Sequence, residues 1–244
     1  MTDRSCRPLK ALFFDAGGTL LGAQPSVGAV YAEVLGRGGR RLDGDRLEAA
    51  FRAAWQRSES RAPRGQDRFA AAGGTRAFWR RLLDETVLEA GGECALGPDE
   101  FDAVHGEFSR AERYRVYPDV RPALERARDR GFTLGIISNW DDRLRGILAQ
   151  LDLARFFSVW VVSAEEGCEK PAAAMFERAC ARAGVQPCEA AHVGDSAVED
   201  FDAARSAGLQ AFLLERAGPA HGAGVISHLG AMLDLLDAGQ EEVG

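Results

Sequence analysis

No apolar run in the sequence approaches the roughly 20 residues that a membrane-spanning helix needs, so no bilayer-crossing segment is expected. The N-terminal stretch MTDRSCRPLKALFF carries basic residues with only a very short apolar segment after them, which reads as a buried strand rather than a signal peptide. No CxxC pair occurs among Cys6, Cys94, Cys168, Cys180 and Cys188, and the total of 5 is odd. A zinc knuckle or a disulfide framework is therefore not expected, and reduced thiols in a cytoplasmic protein are the simpler reading. Positive charge is not in excess either: 30 Lys+Arg against 37 Asp+Glu leave a net charge of −7. Such a chain is poorly suited to wrap nucleic acid or to lie on an anionic membrane. One local basic group would still suffice to hold a phosphorylated small molecule. Of the histidines, His105, His221 and His228 show no metal-ligand spacing, and His192 sits in an apolar strand pattern as a packing residue would.

What is present is ordinary globular usage, 46% hydrophobic and 27% charged, over 244 residues. That is enough for a large core with an insertion. Leu9 to Asp15 is a short apolar run that ends in an acid and then Ala16-Gly17-Gly18, a strand entering a tight loop. From Ser26 to Tyr114 the texture is helical, with apolar spacings such as Leu47, Phe51, Ala54, Trp55 and Phe78, Leu82, Leu83, and no convincing strand. After Tyr117-Pro118 strands and helices alternate. Strands are expected at Thr133–Ile137, Val159–Val162, Ala190–Val193 and Gln210–Leu214. Helices are expected near Val120–Arg130, Asp142–Leu151, Ala173–Ala183, Val198–Ala207 and Val225–Leu236. This alternation predicts an α/β fold: a Rossmann-like, doubly wound parallel sheet core with an inserted all-helical cap domain. The expected division is residues 1–24 and 115–244 for the core and 25–114 for the cap.

Open parallel sheets bind ligands outside the carboxyl ends of their strands. The residues expected there are Asp15, Ser138-Asn139, Lys170 after a loop, and Asp195 with Asp200 five positions on. Taken singly, each has an ordinary explanation as a helix cap, a turn former or a solvated side chain. Together they put several acids, one amine and one hydroxyl at one sheet edge. Such acids suit a hard cation such as Mg²⁺, and Asp15 is then placed to attack phosphorus as a nucleophile.

The segments carrying these residues resemble, in order, the four motifs of the haloacid dehalogenase-like (HAD) hydrolase superfamily. They are Phe14-Asp15-Ala16-Gly17-Gly18-Thr19-Leu20, Ile136-Ile137-Ser138-Asn139, Lys170-Pro171, and Val193-Gly194-Asp195-Ser196-Ala197-Val198-Glu199-Asp200. An insertion just after the first motif is similar to the helical cap of subfamily I. Ser138-Asn139-Trp140-Asp141-Asp142-Arg143-Leu144 and Ala191-His192-Val193-Gly194-Asp195 are similar to the REG-2-like branch, which includes the animal HAD-like hydrolase domain-containing protein 3. The resemblance implies a catalytic set of Asp15 (nucleophile), Ser138 (phosphoryl-binding hydroxyl) and Lys170 (charge balance). It implies substrate contacts from Thr19, Ser138, Asn139 and Lys170, with Thr19 bracing the loop. For Mg²⁺ it implies ligands from Asp15, the Gly17 carbonyl, Asp195 and Asp200. The implied activity is a phosphatase for a small phosphorylated metabolite, acting as a monomer or small homo-oligomer.

One departure is chemically loud. Phosphatases of the family carry a second Asp two residues after the nucleophile, as general acid and base, and here that position is Gly17. Such assistance is worth about 10²–10⁴-fold. Slow turnover of ordinary monoesters is expected, with acyl or activated aryl phosphates suffering less. Two other readings stay open. One is a metal-independent 2-haloacid dehalogenase, with Arg37, Arg40 or Arg41 meeting the substrate carboxylate. The other is a binding or regulatory protein of low activity. If a substitute acid is needed, Glu165, Glu166 and Glu199 are the candidates, and Trp140 and Cys168 lie close in sequence to the expected site.

Overall fold

β1 (Ala11–Phe14) is buried along its whole length, which is what a strand covered on both faces requires. In the computed structural model, which describes residues 8–61, 66–218 and 221–241, β1 forms the middle of a parallel sheet. Cys6 lies outside the described residues. The later strands and helices are β4 (Thr133–Ser138), β5 (Val159–Val162), β6 (Ala190–Gly194), β7 (Gln210–Leu214) and β8 (Val225–Ile226), with α6 (Val120–Asp129), α7 (Leu144–Gln150), α8 (Ser163–Glu166), α9 (Ala173–Ala183), α10 (Ala203–Ser206) and α11 (Leu229–Glu241). The six-stranded order is β5-β4-β1-β6-β7-β8. β1 pairs in parallel with β4 through Phe13 opposite Gly135 and with β6 through Phe13 opposite His192.

The two faces follow from strand periodicity. Leu12 and Phe14 of β1 pack with Val120 and Leu124 of α6, Leu144 and Leu148 of α7, and Leu229 and Leu233 of α11. Ala11 and Phe13 face the other way, onto Met175, Phe176 and Ala179 of α9 and Ala203 and Ala204 of α10. Emptying one buried Phe position of this kind costs about 3–5 kcal/mol.

Between β2 (Leu21–Ala23) and β3 (Tyr114–Val116) lie α1 (Val27–Arg37), α2 (Gly44–Arg61), α3 (Arg68–Ala71), α4 (Thr75–Glu89) and α5 (Pro98–Glu107). These helices have apolar clusters of their own. Val30, Leu35, Leu47, Leu83 and Phe101 form one, and Ala54, Phe69, Phe78 and Leu82 another. β2 and β3 form an antiparallel ladder with Leu21 opposite Val116. The sequence pattern does not announce these strands, which have only three residues each. Two further departures concern helices. The helix expected from Val225 begins at Leu229, because Val225 and Ile226 pair instead with Leu213 and Leu214 at the sheet edge. The helix expected from Val198 opens as a wide π-type turn over Ala197–Asp202 before α10. Among the described residues no helix is long and apolar enough to cross a membrane.

Candidate active site

Asp15 follows β1, Ser138 ends β4, Asp195 follows β6, and Lys170 arrives on the loop after α8. The parallel register therefore delivers them to one edge. Ser138 Oγ donates to Asp15 Oδ1 at 2.9 Å, and Lys170 Nζ donates to the same oxygen at 2.7 Å. Lys170 Nζ also meets Asp200 Oδ1 at 2.5 Å. Both donors to Asp15 fall on Oδ1, so the carboxylate is held from one side. Lys170 is only 1% exposed, and a buried amine without carboxylate partners would lose its charge. Burial alone would depress its pKa, but Asp15 and Asp200 outweigh burial and hold it above the usual lysine range.

The carboxyls are pulled in different directions. Burial opposes ionisation of Asp200, yet Lys170 and His192 together bring its pKa below the ordinary aspartate value. Burial raises the pKa of Asp15, Lys170 only partly offsets this, and Asp200 adds to the rise. Asp195 is pushed up to about 7 by its enclosure and by the charges of Asp15 and Asp200. Asp195 lies exposed at the edge of the cavity, beside both of those charges. Ligand oxygens of Asp15, Asp195 and Asp200 all lie within 4.8 Å of one another. An all-oxygen set with surplus negative charge fits a hard dication such as Mg²⁺, whose charge would relieve the repulsion that raises Asp15 and Asp195.

Two glycines make the cluster possible. Gly18 has a φ of +71°, and a Cβ there would fall 2.0 Å from Asp195 Oδ2. A Cβ on Gly194 would fall 2.1 Å from Asp200 Cγ. The wide turn after Ser196 brings Asp200 back over its own strand, where Ser196 N–H donates to Asp200 Oδ2 at 3.1 Å. His192 Nε2 meets Asp200 Oδ1 at 2.8 Å. His192 is thus a packing residue with a polar task, which strand periodicity alone does not reveal.

The other expected residues divide. Gly17 lines the same cavity as Asp15 and Asp195. Asn139 lines it too, but its amide is committed: Oδ1 accepts from Lys170 N–H at 2.7 Å and Nδ2 donates to the Lys170 carbonyl at 2.9 Å. It anchors the lysine loop. Thr19 is fully buried and is not among the residues lining the cavity. Its buried side chain is out of reach of a ligand in that cavity, its hydroxyl has no hydrogen-bond partner among the described residues, and its carbonyl accepts from Arg216 Nη2 at 2.6 Å. Arg37 pairs with Glu33, and Arg40 pairs with Glu100. Neither these nor Arg41 lines the cavity, so none of them meets a ligand beside Asp15. Cys168 Sγ points at Met175 and Arg178, away from the cavity. Glu165 and Glu166 are bound to Arg145, Arg178 and Arg182. Glu199 lines the cavity and accepts from Asn139 Nδ2 at 3.1 Å.

The cavity has a volume of about 810 Å³ and lies between the sheet edge and the inserted helices. Several aromatic rings stand in its walls, among them Trp55, Trp79, Tyr114 and Trp140. Trp140, whose carbonyl accepts from Ser163 Oγ at 3.2 Å, lies against Gly17, and a Cβ on Gly17 would come 3.1 Å from its Cζ3. Across the interface, buried Arg68 of α3 reaches the opposite layer. Its Nε donates to Glu169 Oε2 at 2.8 Å and its Nη2 to Glu199 Oε1 at 3.2 Å. Arg143 is paired to Asp141, which also accepts from Trp79 Nε1 at 2.6 Å.

A family model for haloacid dehalogenase-like hydrolases matches residues 9–208. The haloacid dehalogenase-like hydrolase domain-containing protein 3 of Danio rerio is 31% identical over 215 residues, covering 86% of this chain and 86% of the relative. A phosphoserine phosphatase of Thermus thermophilus is 34% identical over 169 residues, 69% of this chain and 65% of that protein. Among solved structures, a HAD phosphatase from Thermococcus onnurineus superposes with a TM-score of 0.61 at 25% identity, over 93% of this chain and 98% of the other.

Proposed function

The chain belongs to the haloacid dehalogenase-like hydrolases, and from that membership we propose that it is a Mg²⁺-dependent phosphatase of small phosphorylated molecules, working through an aspartyl-phosphate on Asp15. The observation that carries this reading is the meeting of Asp15, Asp195 and Asp200 around Lys170 at the carboxyl edge of the sheet. Three clustered carboxylates suit a dication better than a metal-independent halide displacement, and Arg37, Arg40 and Arg41 do not line the cavity.

Asp15, Asp195, Asp200 and the Gly17 carbonyl would hold Mg²⁺. Bound there, the ion supplies charge neutralisation for the transferring phosphoryl group. The remaining work falls to the chain. Ser138 and Lys170 fix the Asp15 carboxylate through Oδ1, so that attack on phosphorus needs little reorientation. Lys170 and Ser138 then share their donors with the phosphoryl oxygens as the P–O bond to the leaving group breaks. No side chain at position 17 hands a proton to that leaving oxygen, so its own acidity governs the first step. Water cleaves the aspartyl-phosphate in the second step and restores Asp15. Residues 25–114 act as a cap over the core of residues 1–24 and 115–244, closing the cavity against bulk water. We place the protein in a reducing, cytoplasmic setting, where the thiols of Cys94, Cys168, Cys180 and Cys188 would stay free.

Asp15→Asn tests the reading directly with an activated aryl phosphate. Turnover should vanish in the variant, and in the unaltered protein it should vanish with a chelator and return with Mg²⁺. Full activity in Asp15→Asn, or activity indifferent to the chelator, would discard it. Silence toward every phosphate would favour the low-activity binding protein.

A further inference from the structure

We propose that the cavity selects phosphate esters of an aromatic alcohol, with the aryl ring seated against Trp140 and the phosphate at Asp15; this rests on the phosphatase reading above and names its substrate class. Three independent observations converge on it. First, about 810 Å³ is the room a drug-sized ligand fills, far more than a phosphate on a two- or three-carbon alcohol occupies. Second, the walls offer flat faces. Trp140 sits at the mouth of the carboxylate cluster with Tyr114 tilted against it, ring centroids 6.0 Å apart. Deeper in the inserted helices Trp55 and Trp79 stack at 6.0 Å and 29°. Third, the cations lining the cavity are already committed: Lys170 to Asp15 and Asp200, Arg143 to Asp141, and Arg68 to Glu169 and Glu199. A substrate carrying a second acid finds no uncommitted cation there among the described residues, whereas a neutral ring finds partners.

The chemistry at position 17 points the same way. As the bond from Asp15 oxygen to phosphorus forms, the P–O bond to the alcohol breaks and its electron pair stays on the leaving oxygen. An alkoxide needs a proton at that moment, and Trp140 covers Gly17 where a donor would stand. A phenoxide does not, since a phenol ionises near pH 10 while water, and alkyl alcohols like it, ionise near 15.7. The aryloxide takes its proton from water after departure. Water then cleaves the aspartyl-phosphate, which releases inorganic phosphate.

The test uses the full chain with Mg²⁺ and two series of compounds. Turnover is compared on 1-naphthyl phosphate, cyclohexyl phosphate and acetyl phosphate. Binding of the non-hydrolysable 1-naphthylmethylphosphonate and cyclohexylmethylphosphonate is measured by calorimetry. Naphthyl phosphate should exceed cyclohexyl phosphate in kcat/KM by about 100-fold or more. The naphthyl phosphonate should bind about tenfold tighter than its saturated partner, as aromatic stacking allows. Trp140→Ala should erase the binding preference and Trp140→Phe should retain most of it, with thermal melting to establish that both variants fold. Equal binding of the two phosphonates overturns the proposal. If acetyl phosphate is still hydrolysed in that case, the phosphatase reading survives it. Hydrolysis of none of the three phosphates overturns the phosphatase reading and the ester proposal together.

Discussion

Restoring the missing acid is the sharpest perturbation available. Gly17 is not in the left-handed region, so Gly17→Asp meets no backbone obstacle. It does meet Trp140: the new Cβ lies 3.1 Å from Cζ3 and 3.8 Å from Cε3, so the ring must yield by a few tenths of an ångström. Crowding of this kind costs about 1–3 kcal/mol. Loss of glycine freedom in the unfolded chain returns about 0.4–1 kcal/mol. At roughly 2–4 °C per kcal/mol for a chain of this length, the net cost of up to about 2.6 kcal/mol should lower the melting temperature by no more than about 10 °C. A correctly placed general acid is worth about 10²–10⁴-fold. If about 1.4 kcal/mol of the crowding persists in the reactive arrangement, one factor of ten is lost, and the net gain is about 10–10³-fold. It should appear in kcat/KM for cyclohexyl phosphate and be nearly absent for acetyl phosphate, whose carboxylate leaves without a proton. The ratio of the two rates is therefore the measurement. Equal increases on both substrates would refute the reasoning, because the new Asp would then act on something other than the leaving group. A flat cyclohexyl rate in Gly17→Asp and again in Gly17→Asp/Trp140→Phe, with melting curves intact, would show that the absent acid does not limit turnover.

Other outcomes follow from the same cluster. Lys170→Met leaves Asp15 and Asp200 buried without their cation, and a broken buried pair of this kind costs about 3–5 kcal/mol at neutral pH; melting at pH 7 should show the loss, reduced by Mg²⁺ or by acid. Asp195 has a folded pKa raised from 3.8 to about 7, so the metal-free fold gives up stability as pH rises through that window. Mg²⁺ displaces the proton, and its thermal stabilisation should be larger at pH 8 than at pH 5; saturating the site 100-fold above Kd corresponds to about 2.7 kcal/mol. A melting shift independent of pH would contradict this. Gly18→Ala drives a methyl to within 2.0 Å of Asp195 Oδ2, so it should abolish Mg²⁺-induced stabilisation in the same melting assay.

Much of this arrangement is legible in the sequence. The short apolar runs ending at Asp15, Ser138 and Asp195 marked strand ends, and a parallel sheet must bring strand ends together. β1 was the hard case in principle, since its partners lie more than a hundred residues away, yet its unbroken burial leaves no other place for it. The three-residue strands around Leu21 and Arg115 carried no signal, because pairing at that length is decided by the helices they bracket. The wide turn after Ser196 has the apolar spacing of a plain helix for a related reason. Its registry is fixed by Asp200 reaching Lys170 and His192, contacts that hydrophobic spacing does not encode. The cavity was least legible of all. Trp55, Trp79, Tyr114 and Trp140 each follow local packing patterns, and only their placement on facing surfaces makes them a wall.

The grip of Arg68 sets a condition on traffic. Its guanidinium is 3% exposed and holds Glu169, the neighbour of Lys170, and Glu199, the neighbour of Asp200. One side chain of the inserted helices is therefore clasped to both loops that carry the reacting charges. Any movement of these helices away from the sheet edge parts this clasp, and its three charges must rehydrate as it does. Dissolved ions that cover those charges would ease that movement.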